Sequence, residues 1–141
     1  MKTLKNTIST KQFLVILALL FLFILTSCSK KVTFLTSSVV PAARGEVAVK
    51  SDKNNNYNIE LKISFLAEPE RLQPPKKAYV VWMTSQEDNP INLGQIVGTS
   101  KLNVKFVTVS SSKPRRIFIT AEDDASIQYP GSMVVLETNN F

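Results

Sequence analysis

"YNIELKISF", Tyr57 to Phe65, decides how this chain is read. Tyr57, Ile59, Leu61, Ile63 and Phe65 alternate with Asn58, Glu60, Lys62 and Ser64. A repeat of two places the apolar side chains on one face of a strand and the polar ones on the other. That is the signature of a sheet with one buried and one wet face. Just upstream, Ser51 to Asn56 reads "SDKNNN", and Asn and Asp tolerate the left-handed backbone of tight turns. Glu46 to Lys50 precedes it as another strand, so the two strands are expected to form a hairpin.

Further strands follow at short intervals. Ala78 to Thr84, "AYVVWMT", is apolar on both faces, as a central strand would be. Ile91 to Val97, Lys101 to Val109, Arg115 to Glu122 and Met133 to Glu137 complete the set. Within Lys101 to Val109, Leu102, Val104 and Phe106 share a face before the apolar residues switch to Val107 and Val109. Such a change of phase predicts a bulge or a strand that crosses between sheets. Pro69, Pro74 and Pro75 fall in a loop, where a missing N–H does no damage. The expected fold is all-β, an antiparallel β-sandwich of about seven strands, immunoglobulin-like or cupredoxin-like, over residues 44–141.

The N-terminal region has a different character. Lys2, Lys5 and Lys11 carry its charge, and no acid occurs before Glu46. Phe13 to Leu25 is an unbroken apolar run of 13 residues. A membrane span needs about 20, whereas the apolar core of a secretory signal needs roughly 7–15. Ordinary cleavage before Cys28 would want a small residue where Leu25 stands. Leu25-Thr26-Ser27-Cys28 instead resembles the lipobox of bacterial lipoprotein precursors. The resemblance implies removal of residues 1–27, diacylglycerol on the Cys28 thiol and acylation of the new amino group. Each buried CH₂ is worth about 0.8 kcal/mol, so two or three chains make a stable anchor.

Residues 28–43 are then expected to be a lipidated tether, in which Lys30 and Lys31 either meet anionic headgroups or are simply solvated. The anchored protein would face the periplasm. In lipoproteins of enteric type an aspartate after the cysteine favours inner-membrane retention, so by that resemblance Ser29 implies the outer rather than the inner membrane.

The composition narrows the chemistry. The formal net charge is +6, but three lysines leave with the signal, so 14 basic residues face 11 acids. The remaining excess of +3 gives no reason to expect nucleic-acid binding. Cys28 is the only cysteine, so an exported domain must be stabilised by packing rather than disulfides. There is no histidine, which removes the commonest general base and the usual zinc and copper ligand. A blue-copper site is excluded with it. The four glycines are scattered, with no phosphate-binding loop among them, and no cofactor is expected.

One polar cluster remains: Glu122, Asp123 and Asp124, with Ser126, in "TAEDDASIQYPGS". Three loop carboxylates could ligate Ca²⁺, although no alternating ligand pattern accompanies them and a solvated acidic turn is the plainer reading. A paired-carboxylate hydrolase using Glu122 or Asp124 lacks a second carboxylate at a defined spacing. Trp82, mid-strand beside Val81 and Met83, reads as core rather than as a ligand platform. Lys76-Lys77 and Lys113, Arg115 and Arg116 read as a solvated rim or as contacts for an acidic partner.

Four stretches occur in a suggestive order: "ARGEVAVK", "LQPPKKAYVVWM", "LGQIVG" and "IFITAEDDASIQYPGSMVVL". Together they resemble the extracytoplasmic C-terminal domain of anti-sigma-K factors, over roughly residues 44–137. The matching positions are Gly45, Pro74, Tyr79, Trp82, Gly94 or Gly98, Thr120, Glu122, Pro130, Val134, Val135 and Leu136. The resemblance implies a sandwich in the cell envelope and supplies no catalytic residue. It departs from the family in lacking the zinc-associated, His- and Cys-bearing sigma-binding domain and its transmembrane helix. Sigma binding by that mechanism is therefore not carried over.

The expected function is that of a lipid-anchored, envelope-facing interaction or sensory module without catalytic activity, with a protein partner in the envelope. The alternatives are an accessory regulator of a transmembrane anti-sigma system, and Ca²⁺-dependent binding or enzymatic activity at Glu122 to Asp124. The long polar loops, Glu68 to Lys77 and Glu122 to Gly131, are the expected places of partner contact.

Overall fold

The computed structural model describes residues 9–12, 29–98 and 103–141. Most of the expected signal segment, Cys28 and Leu102 lie outside the described residues. Eight strands follow: β1 (Lys30–Thr33), β2 (Arg44–Ser51), β3 (Tyr57–Ser64), β4 (Ala78–Thr84), β5 (Pro90–Ile96), β6 (Asn103–Ser110), β7 (Arg116–Glu122) and β8 (Val134–Glu137). They form two antiparallel four-stranded sheets, ordered β1-β2-β3-β6 and β5-β4-β7-β8. The chain is a β-sandwich, with one strand more than the sequence reading supplied. Among the described residues no helix is long and apolar enough to cross a membrane.

The hairpin of β2 and β3 is regular, running in register from Arg44 opposite Ser64 to Ser51 opposite Tyr57. Its turn uses the chemistry of "SDKNNN". Asn55 takes a φ of 61°, and Asp52 Oδ1 accepts the N–H groups of Asn54 (2.7 Å) and Asn56 (2.9 Å). Those bonds, the one from Asn56 foremost, hold the Asp52 carboxyl below its ordinary range. On β3, Ile59, Leu61 and Ile63 are buried while Asn58 and Lys62 are exposed. Phe65 departs from the alternation: at a φ of 58° it turns out of the strand and is 56% exposed.

Between the sheets lies the main core. Val47, Ile59, Leu61, Ile63 and Val104 come from the first sheet, and Tyr79, Val81, Met83, Ile117, Ile119 and Leu136 from the second. Each fully buried aliphatic side chain contributes roughly 1.5–3 kcal/mol relative to exposure. β4 is buried along its whole length, but its two faces enter different cores. Val80 and Trp82 point away from the first sheet and join Phe118 in a second cluster, covered by Ala125, Ile127 and Val134. The loop from β7 to β8 therefore lies as a strap across the outer face of the second sheet.

Two expectations are corrected. β6 contains neither a bulge nor a crossing, because its register with β3 is unbroken from Tyr57 opposite Ser110 to Ser64 opposite Asn103. Val104 and Phe106 face inward, and Val107 and Val109 stand on the wet face, each 57% exposed. The apolar identity changes along β6 while the backbone phase does not. Register shifts occur instead between β4 and β5, at Val81/Trp82, and between β7 and β8, at Ile119/Thr120.

The second correction concerns residues 28–43, expected as a tether. β1 pairs with β2 from Lys30 opposite Val49 to Thr33 opposite Glu46. Phe34 then bridges to Thr138, and Leu35 N–H donates to the Glu137 carbonyl at 2.8 Å, joining the edges of the two sheets. Ser37, Val40 and Ala43 are buried. Ser37 Oγ accepts the Val40 N–H at 2.9 Å, and the Arg44 guanidinium donates to the carbonyls of Pro41 and Ala43. Among the described residues the sandwich reaches back to Lys30, rather than starting at residue 44.

Candidate functional site

The two loops expected to contact a partner meet at one end of the sandwich, where β3 leaves and β4 enters. Lys76 Nζ stands 2.7 Å from Asp123 Oδ2, and Lys77 N–H donates to the Glu122 carbonyl at 2.9 Å. Within the first loop, a single 3₁₀ turn, Pro69–Arg71, turns Pro69 and Leu72 into the protein. Beside it runs an open groove of about 530 Å³. Val39, Val40, Pro41 and Ala42 line it together with Leu72 and Met133. One wall thus belongs to a loop the sequence pointed to. The other was missed, although Val39 to Ala43, five residues without a polar side chain, is a poor composition for a solvated linker.

Tyr79 is fully buried, and its hydroxyl has no hydrogen-bond partner among the described residues. Burial first, and the charge of Glu70 second, push the phenol up to about 12. At neutral pH Tyr79 is a protonated core residue and not a base.

The acidic cluster is not brought together as a cation site. Glu122, 6% exposed, accepts the Gly131 N–H on Oε1 at 2.7 Å. Asp123 is engaged by Lys76. Asp124 Oδ1 accepts both the N–H and the hydroxyl of Ser126 at 2.8 Å, and these bonds lower its carboxyl from the ordinary range. Each acid answers a different donor. Among the described residues no group of three or more Asp, Glu, Cys or His is placed to hold a metal ion.

Several positions on which a resemblance was expected, and Gly131 beside Pro130, serve the fold. Trp82 Nε1 donates to Thr120 Oγ1 at 2.8 Å. A Cβ on Gly131 would lie 2.6 Å from Glu122 Oε2, and one on Gly45 would lie 2.7 Å from the Lys62 carbonyl oxygen. Val135 and Leu136 are buried in the main core. None of these positions lines the groove. Compared with protein-family models and with curated proteins, the chain matches none.

Proposed function

We propose that this chain is a lipid-anchored envelope protein whose β-sandwich is a non-catalytic interaction or sensory module. The carrying observation is Leu25-Thr26-Ser27-Cys28, which begins on the last residue of a 13-residue apolar run and ends two residues before β1. The groove between Val39–Ala42 and Leu72 supports the interaction reading. It is open and largely apolar in lining, as suits the side chains of an extended partner segment. Membrane attachment would hold that groove at a fixed place in the envelope. The resemblance of residues 44–137 to anti-sigma-K domains supports, as a second reading, an accessory regulator of such a system.

Intact-mass measurement of the membrane-extracted protein tests the anchor. The expected mass corresponds to a chain beginning at Cys28 plus a diacylglycerol and an acyl group. An unmodified Cys28 rules the anchor out. Photo-crosslinking in native membranes from Val39 and Gln73 tests the groove. The same partner captured from both positions, and not from a probe at Lys62 on the wet face of β3, is expected. A sigma-system protein as that partner would favour the second reading.

A further inference from the structure

With β1 beginning at Lys30, Cys28 is separated from the folded domain by Ser29 alone. Two residues span at most about 7 Å, so a lipid on Cys28 would hold the start of β1 at the membrane surface. What surrounds Lys30 then matters.

Lys30 lies at the end of the sandwich formed by the β2–β3, β4–β5 and β6–β7 turns. It is opposite Val49 in register, and Tyr57 at the foot of β3 is opposite Ser110 at the end of β6. Lys30, Tyr57, Lys113, Pro114 and Phe141 line one shallow basin of about 160 Å³. The Lys30 ammonium sits 5.5 Å from the Phe141 ring centroid. Lys50 and Lys53 flank this basin at the end of β2 and in its turn.

Among the described residues, Lys30, Lys50, Lys53 and Lys113 form no salt bridge. Acids on the same end do not neutralise them. Asp88 is paired with Arg115 at 2.8 Å and Glu137 with Arg116, which leaves Asp52, bound by the amides of its own turn, and Glu87 against the four lysines. The opposite end has another balance. Among the described residues there, Glu68, Glu70, Glu122, Asp123 and Asp124 stand with Arg44, Arg71, Lys76 and Lys77.

We propose that the end bearing Lys30, Lys50, Lys53 and Lys113 is a docking surface for anionic phospholipid headgroups. It would seat the sandwich upright on the bilayer, with the groove turned away from the membrane. Cations ringed around an aromatic and a proline suit the polar–apolar boundary of a bilayer. An eight-residue strand such as β3 would put the opposite end about 26 Å from the surface. The inference rests on the lipidation of Cys28 proposed above, and replaces a swinging tether with a fixed pose.

The test uses the processed, lipidated protein in vesicles. Because Cys28 is the only native cysteine, a fluorophore can be attached to a single added thiol at Asn54→Cys, in the basic end, or Glu70→Cys, in the opposite end. The expected result in phosphatidylglycerol-containing vesicles is strong quenching of the Asn54→Cys label by headgroup-linked quencher and little of the other. The difference should disappear in pure phosphatidylcholine. It should also disappear at 1 M salt, where the screening length is about 3 Å, and on combining Lys30→Glu, Lys50→Glu, Lys53→Glu and Lys113→Glu. Equal quenching of both labels on a protein whose mass shows the lipid overturns the pose while leaving the anchor standing. A difference indifferent to lipid charge and salt also overturns it, without relying on any lysine variant. Absence of lipid on Cys28 overturns both readings.

Discussion

The Trp82 indole N–H donates to Thr120 Oγ1 at 2.8 Å, on the face of the second sheet that points away from the first. This bond joins neighbouring strands β4 and β7 in a place where an exposed sheet face would ordinarily be wet. Trp82 is fully buried, and its ring stacks on Phe118 with centroids 6.3 Å apart. The β7–β8 strap makes that burial possible, so Thr120 satisfies a donor that water no longer reaches. Thr120→Val keeps the shape and removes the acceptor. The expected cost is about 1–3 kcal/mol, seen as a lower urea midpoint with emission from Trp82, the only tryptophan, still that of a buried indole. An unchanged midpoint would mean that the indole N–H finds an equivalent partner.

Asn92 holds the strap. Its side-chain amide donates to the carbonyls of Ala125 (3.1 Å) and Ile127 (2.9 Å), while its oxygen accepts the Gly94 N–H at 2.9 Å. Asn92→Ala leaves two strap carbonyls and one strand N–H without these partners. Stability should fall by about 1–2 kcal/mol. Hydrogen exchange should accelerate over residues 124–133, and acrylamide should quench Trp82 more readily. Faster exchange spread evenly over all strands would instead indicate global destabilisation, with no special role in retaining the strap.

Tyr79 carries a pH dependence. Its folded-state phenol is raised from 10.0 to about 12, chiefly by burial. Its contribution to stability is therefore complete below pH 10 and is lost as pH rises through 12, because the unfolded chain ionises first. Two pKa units amount to about 2.7 kcal/mol, so the unfolding free energy should fall by roughly 2–3 kcal/mol across that window. Tyr79→Phe should flatten the fall. Since the hydroxyl has no partner among the described residues, the same variant should match or exceed the parent in stability at pH 7. Chemical denaturation at pH 7, 10 and 12 checks both outcomes.

The sequence was most legible where one physical demand dominates. β3 alternates because one face meets the core, and "SDKNNN" turns because Asn55 must adopt a left-handed backbone. β4 was legible as doubly buried, but what covers its outer face was not. Ala125, Ile127 and Val134 lie in or just after a polar loop, and nothing local says that they fold back. β6 misled because Val107 and Val109 are apolar on an exposed edge strand, where β-branched shape can suit the backbone without burial. The groove was half legible: the proline-bearing loop announced itself, while Val39 to Ala42 was hidden by its place shortly after the lipobox-like stretch. β1 was illegible for a different reason. "KKVT" shows only Val32 partly buried, so its pairing rests on backbone hydrogen bonds, which leave no mark in side-chain periodicity.

That last point gives a direct test of where the domain begins. A tether can be shortened without thermodynamic consequence, whereas β1 and Phe34 cannot be removed without uncovering β2 and part of the core. Phe34 packs against the main core, its nearest ring carbon lying 3.0 Å from where a Cβ on Gly45 would stand. Deleting Lys31 to Leu35 would take away the β1 ladder, the Phe34–Thr138 bridge and the Leu35–Glu137 hydrogen bond together. The expected loss is at least about 2 kcal/mol from buried apolar area alone, or a fall in melting temperature of roughly 8 °C or more for a domain of this size. Phe34→Ala isolates the side chain and should reproduce a large share of that fall. An unchanged melting temperature in both variants would return residues 28–43 to the status of a linker.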